Sequence, residues 1–247
     1  MQSTVYPNAP IREALFDVRL KFSNPINPSI FEGIFSSLQD DYPKKEVSVL
    51  RHFSVEAKGL EQPVFNTTDG VNGLRLTSKD GTQIAQFRTD GFTFSKLKPY
   101  SKWDVFFTEV TRLFELYVEA TKPLYCERIA LRYVNAIEIA EKKFEIDDYF
   151  TTALKIGDDI PDDLVEFFVR IVLKDRDSDS LAVVNQTVEE TTDPDKTIVL
   201  FDIDVFQQNL RTIWKTEDFM NRVNQLHAFR TKIFEGSLTD KTKQSFS

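Results

Sequence analysis

Residues 13–22 alternate, with Ala14, Phe16, Val18, Leu20 and Phe22 on one side and Glu13, Asp17, Arg19 and Lys21 on the other. That period of two predicts a strand buried on one face and wetted on the other. Asn24-Pro25 breaks it. Asn27-Pro28 then offers a capping side chain with proline just inside a helix, and Ile30, Phe31, Ile34, Phe35 and Leu38 carry the 3.6-residue period to about Asp41. Strands follow at about 46–57, 72–78 and 82–97. Lys79-Asp80-Gly81 between the last two predicts a hairpin turn, because Asp-Gly accepts the positive φ of tight turns. Ser101 as cap, with Asp104 three residues on, opens a long helix. Its stripe of Trp103, Phe106, Phe107, Val110, Leu113, Phe114, Tyr117 and Val118 is a core-facing surface.

The same order then returns. Strands are expected near 125–139, 164–174, 180–190 and 197–206, with a short helix over 146–154 after the first of them. A second long helix starts after Thr216, carries Phe219, Val223, Leu226, Phe229 and Ile233 on one side, and reaches about Glu235, with Gly236 as its stop. Single-sided alternation favours antiparallel strands with helices on one face, so the fold class is α+β. The expectation is two β-α-β-β-β-α pseudo-repeats, residues 1–124 and 125–247, joined in one compact unit. They would form a largely antiparallel curved sheet backed by the two long helices, an order that resembles the saddle of the TATA-box-binding protein.

Composition allows a large core: 247 residues, 41% hydrophobic, with 22 Phe. No apolar run approaches the roughly 20 residues of a membrane-spanning helix, and the opening Met1-Gln2-Ser3-Thr4-Val5 lacks the pattern of a secretory signal. With a single cysteine, Cys126, no intramolecular disulfide forms, and a cytoplasmic location is expected.

Charge is unevenly placed. Residues 1–125 hold 15 Lys+Arg and 15 Asp+Glu, leaving 16 and 24 for the remainder, so the net −8 comes from the second half. The acidic excess gathers in loops (Asp158, Asp159, Asp162, Asp163; Asp175, Asp177, Asp179; Glu189, Glu190, Asp193, Asp195), where a solvated surface is the plain reading. It disfavours nucleic-acid binding by the molecule as a whole. One local exception is the segment 75–102, where Arg75, Lys79, Arg88, Lys96, Lys98 and Lys102 interleave with Phe87, Phe92 and Phe94.

Three stretches are similar to known sequences: Tyr6-Pro7-Asn8-Ala9-Pro10-Ile11-Arg12-Glu13-Ala14, the strand Arg128 to Ile137, and the ending Leu226-His227-Ala228-Phe229 with Phe234-Glu235-Gly236-Ser237-Leu238-Thr239-Asp240-Lys241. Together with Asp202-Ile203-Asp204 they resemble a family of sporadically distributed, uncharacterised bacterial proteins of about this length. The resemblance implies a bacterial origin and a single full-length module. It carries over no catalytic residue.

Chemistry must then be weighed group by group. His52 and His227 show no zinc-ligand spacing, and Cys126, at a strand start, has no visible activating base. No glycine-rich phosphate loop, Gly-x-Ser-x-Gly elbow or His-Glu-x-x-His helix occurs. Asp202 and Asp204, two apart on a strand, would project from one face about 7 Å apart, a spacing that suits one hydrated divalent cation. Arg128 and Arg132 also share a face, so a cross-strand ionic network competes with the metal reading.

Three functions follow. The favoured one is a non-catalytic module that binds a protein partner or self-associates into a homo-oligomer, with no cofactor and no membrane contact. The alternatives are nucleic-acid contact through Arg75, Arg88, Lys96 and Lys98, with Arg128 and Arg132 as further binding candidates, and a metal-dependent hydrolase or nuclease using Asp202 and Asp204.

Overall fold

The computed structural model describes residues 6–56, 64–141, 144–152, 166–193 and 195–247. Nine strands form one open, curved antiparallel sheet among these residues. In chain order they are β1 (Ile11–Lys21), β2 (Lys44–Glu56), β3 (Val64–Thr77), β4 (Gln83–Arg88), β5 (Gly91–Leu97), β6 (Tyr125–Ile139), β7 (Phe168–Asp175), β8 (Ser180–Glu189) and β9 (Thr197–Thr212). The helices are α1 (Phe31–Leu38), α2 (Trp103–Thr121), α3 (Glu217–Ser237) and the short α4 (Asp240–Gln244). None of them is long and apolar enough to cross a membrane.

Strand order across the sheet is β2-β3-β4-β5-β1-β6-β9-β8-β7. The middle is the antiparallel pair β1 and β6, each the first strand of its half, and each half then spreads outward to its own edge. α2 and α3 run antiparallel on one face: Trp103 stacks on His227 at 4.1 Å, and Phe114 lies 6.4 Å from Phe219. Phe114 also contacts Phe16, Phe92 and Trp214, so one aromatic cluster ties both helices to the central strands. Phe16, Phe92, Phe114 and Phe219 belong to a single buried core, against which Trp103 and Trp214 pack.

Several elements differ from expectation. The strand expected over 82–97 is two strands, β4 and β5, joined by a tight turn at Thr89-Asp90. Phe87 and Phe92 both reach the core, yet they are five apart, and that switch of parity marks the reversal. The first half therefore has one strand more than expected. Ser101 does not cap α2; the cap position is Lys102, which makes no side-chain cap bond. The helix expected over 146–154 is only a 3-10 turn at Ile146–Asp148. Phe150 leaves it extended to bridge Leu238, and residues 153 and 154 lie outside those described. Gly236 sits inside α3, which stops instead where Leu238 turns extended and Thr239 caps α4. As expected, Asn27 accepts from Ser29 N ahead of α1, and Gly81 takes φ +72° in the turn before β4.

Residues 6–8 meet the last helices. Asn8 N donates to Phe246 O at 3.0 Å, the Tyr6 hydroxyl donates to Glu235 at 3.0 Å, and the Tyr6 ring stands edge-on to Phe246.

Candidate functional site

The period of two that sends Phe16, Val18, Ile129, Leu131, Ile203 and Val205 under the helices sends charged residues of the same strands to the other, open face. In register, Asp17 of β1 lies opposite Ala130, Arg132 of β6 lies between Leu15 and Asp204, and Val134 lies opposite Asp202. Directly opposed partners are therefore mostly not the ones that bond, and the ion pairs run diagonally. Arg132 donates to both oxygens of Asp202 at 2.8 and 2.9 Å, and Asn185 Nδ2 adds a third bond at 3.1 Å.

Asp17 is the hub of the neighbouring cluster. It is buried, and accepts from Arg88 and Arg128 at 3.0 Å each and from Thr93 Oγ1 at 2.7 Å. Arg128 also approaches Asp204 at 3.6 Å and lies 4.7 Å over the Phe206 ring. Arg88 extends the cluster to Asp90, which in turn pairs with Arg19. Burial pushes the Asp204 carboxyl above the usual aspartate range, against the pull of Arg128 and Arg132. Farther along, Arg12 and Glu189 form a two-bond pair at 2.7 Å.

The expected metal pair thus meets guanidinium groups. Asp202 and Asp204 do share a face, but a cation at Asp202 would have to displace a bidentate arginine. Among the described residues, no three His, Cys, Asp or Glu side chains group as metal ligands.

The basic-aromatic segment is divided. Arg75 pairs with Glu46 on the open face and Arg88 is buried against Asp17. Lys96, on the parity of Phe92 and Phe94, belongs to the helix-bearing side and donates to Thr82 Oγ1 at 2.6 Å. Lys98 is exposed beyond the end of β5. Phe87, Phe92 and Phe94 are in the core, so their rings cannot stack on bases. His227 is held neutral, burial pushing its pKa down to about 4 with Arg230 assisting. Cys126 is buried, its thiol pushed up to about 12 mainly by that burial. Asp158, Asp159, Asp162 and Asp163 lie outside the described residues.

Two features escaped the reading of single strands. Asp17 looked like an ordinary wet-face residue, because its importance comes from four strands converging on it. The other is the apolar character of the sheet margins. At one edge Val47, Val49, Leu50 and Val71 are exposed on β2 and β3; at the other, Phe168, Val172 and Leu173 are exposed on β7, Phe168 by 66% and Val172 by 59%. The β7 signal was present in the sequence, since Phe168-Val-Arg-Ile-Val-Leu-Lys-Asp175 places apolar residues on both parities. No family model and no curated protein matches this chain.

Proposed function

We propose that this protein is a non-catalytic binding and assembly module, which engages another protein or a copy of itself through the margins of its sheet. The observation that carries this reading is the distribution of the open surface. In the centre, carboxylates and guanidiniums satisfy one another; at the edges, strands β2 and β7 expose large aliphatic and aromatic side chains beside backbone groups that no described strand takes up. An edge strand with apolar side chains is a template for pairing, and clustered exposed apolar groups mark contact surfaces.

The test is association measured by light scattering over a range of concentrations, together with recovery of co-purifying chains, for the native protein and for variants with Val49→Lys on β2 or Val172→Lys on β7. Loss of a complex on charging either edge supports the reading. A native protein that stays monomeric at high concentration, and whose co-purifying chains are the same with both edges charged, overturns it.

A further inference from the structure

We infer that β7 is a self-association strand: two copies pair β7 antiparallel about a two-fold axis through Ile171, so that their sheets become continuous. This rests on the assembly reading above and names the partner as a second copy of this chain.

Two arguments choose β7 over β2. First, the β2–β3 ladder is interrupted between Ser48 and Val49, where Asn72 of β3 has no opposite residue, and such a bulge raises the local twist at that edge of the sheet, whereas β7 pairs with β8 without interruption from Phe168 to Asp175. Second, overlap and charge together select one register, since an axis at Val169 would pair only residues 168–170 of the strand. In a two-fold antiparallel pair, facing residues must project from the same face, so the axis must pass through a residue. An axis at Arg170 would oppose two arginines. An axis at Val172 would oppose Arg170 to Lys174. An axis at Ile171 avoids both, placing Arg170 against Val172, Val169 against Leu173 and Phe168 against the stem of Lys174. Exposed Glu166 and Arg176 flank the two ends of the strand, so opposite charges of the two copies come near one another beyond each end of the pair. Opposite charges across strands stabilise a pair and like charges oppose it.

The arrangement uses what is exposed. Phe168 and Val172 on the open face and Leu173 on the helix-bearing face are each covered by the partner strand, and an isologous contact of this kind closes at two copies.

The experiment combines charge and cross-linking on the full chain. Val172 is exposed, so its substitution leaves the core intact. Val172→Lys sets two lysines against the partner's Arg170 and should weaken the dimer by about tenfold or more. Val172→Glu sets carboxylates there instead and should keep it. Under mild oxidation Ile171→Cys should link to itself, Leu173→Cys alone should not, and Val169→Cys mixed with Leu173→Cys should link, since strand-paired Cα atoms lie within disulfide reach. Equal weakening by lysine and glutamate, or self-linking of Leu173→Cys without Ile171→Cys, overturns the register. A complex insensitive to β7 but abolished by Val49→Lys overturns this inference and leaves the assembly reading standing. A protein monomeric in every assay, with no partner lost on charging either edge, removes both.

Discussion

Replacing Asp17 by asparagine tests the central ionic cluster directly. The side chain keeps its size and can still accept from Thr93, but the charge that faces Arg88 and Arg128 is gone. Breaking a buried pair from one side costs about 3–5 kcal/mol, because the partner charge is left without compensation. Here the side chains of Asp17 and Arg88 are only 11% and 10% exposed, which argues for the full penalty, while Arg128 at 27% can draw on water and Arg88 retains Asp90. The lower end, about 3 kcal/mol, is therefore expected. In a chain of this size each kcal/mol moves the midpoint by about 2–4 °C, so Tm should fall by roughly 6–12 °C. The comparator is Arg12→Gln, which breaks a shorter, two-bond pair whose side chains are 43% and 32% exposed; its cost should stay below about 1 kcal/mol. Thermal melts followed by circular dichroism at pH 7, in low salt and in about 0.5 M salt, which screens exposed pairs, should show salt erasing the Arg12 effect and sparing the Asp17 effect. If Asp17→Asn costs no more than Arg12→Gln, burial does not govern this cluster and the reasoning fails.

Other outcomes follow from the same structure. His227 has a folded pKa of about 4, below its ordinary value of 6.5, so the unfolded chain binds more protons between those values; its contribution to stability is complete above pH 6.5 and is lost as pH falls toward 4. Equilibrium denaturation at several pH values should show a shallower slope in that window for His227→Gln. A Cβ added at Gly91 would stand 2.0 Å from Val18 O, so Gly91→Ala must part β5 from β1 and should destabilise by about 1–3 kcal/mol in urea titrations. Cys126, buried and far from its thiolate form at neutral pH, should react with a thiol reagent only at the rate of unfolding and quickly in denaturant; fast modification of the native protein would contradict its burial.

Elements defined by their own periodicity were readable in the sequence. β6 spans Tyr125–Ile139, as its fifteen-residue alternation indicates, and α2 follows its aromatic stripe. What failed were places where two local signals compete. Ile146, Tyr149 and Phe150 are spaced like a helix face, but Phe150 is drawn into a bridge with Leu238, a contact between distant parts of the chain. Gly236 has the residue type of a helix stop, yet nothing there requires a left-handed backbone, and the helix passes through it. At the open face, period two correctly put Arg128 with Arg132 and Asp202 with Asp204. Which guanidinium meets which carboxylate depends on strand register, and register is decided by the packing of the whole sheet. Asp17 shows the limit most clearly: its partners stand 71, 76 and 111 residues away.

The contact between Tyr6, Asn8, Glu235 and Phe246 brings the entry to β1 beside the last helices. A short flexible linker could join Tyr6 to Phe246, and a new opening could be made after α2, where Lys122 already leaves the helix in a left-handed conformation. Such a circular permutant would begin at β6 and finish at α2, with every strand neighbour retained. A permutant that folds would show that the order in which the halves are synthesised is separable from the shape they adopt together.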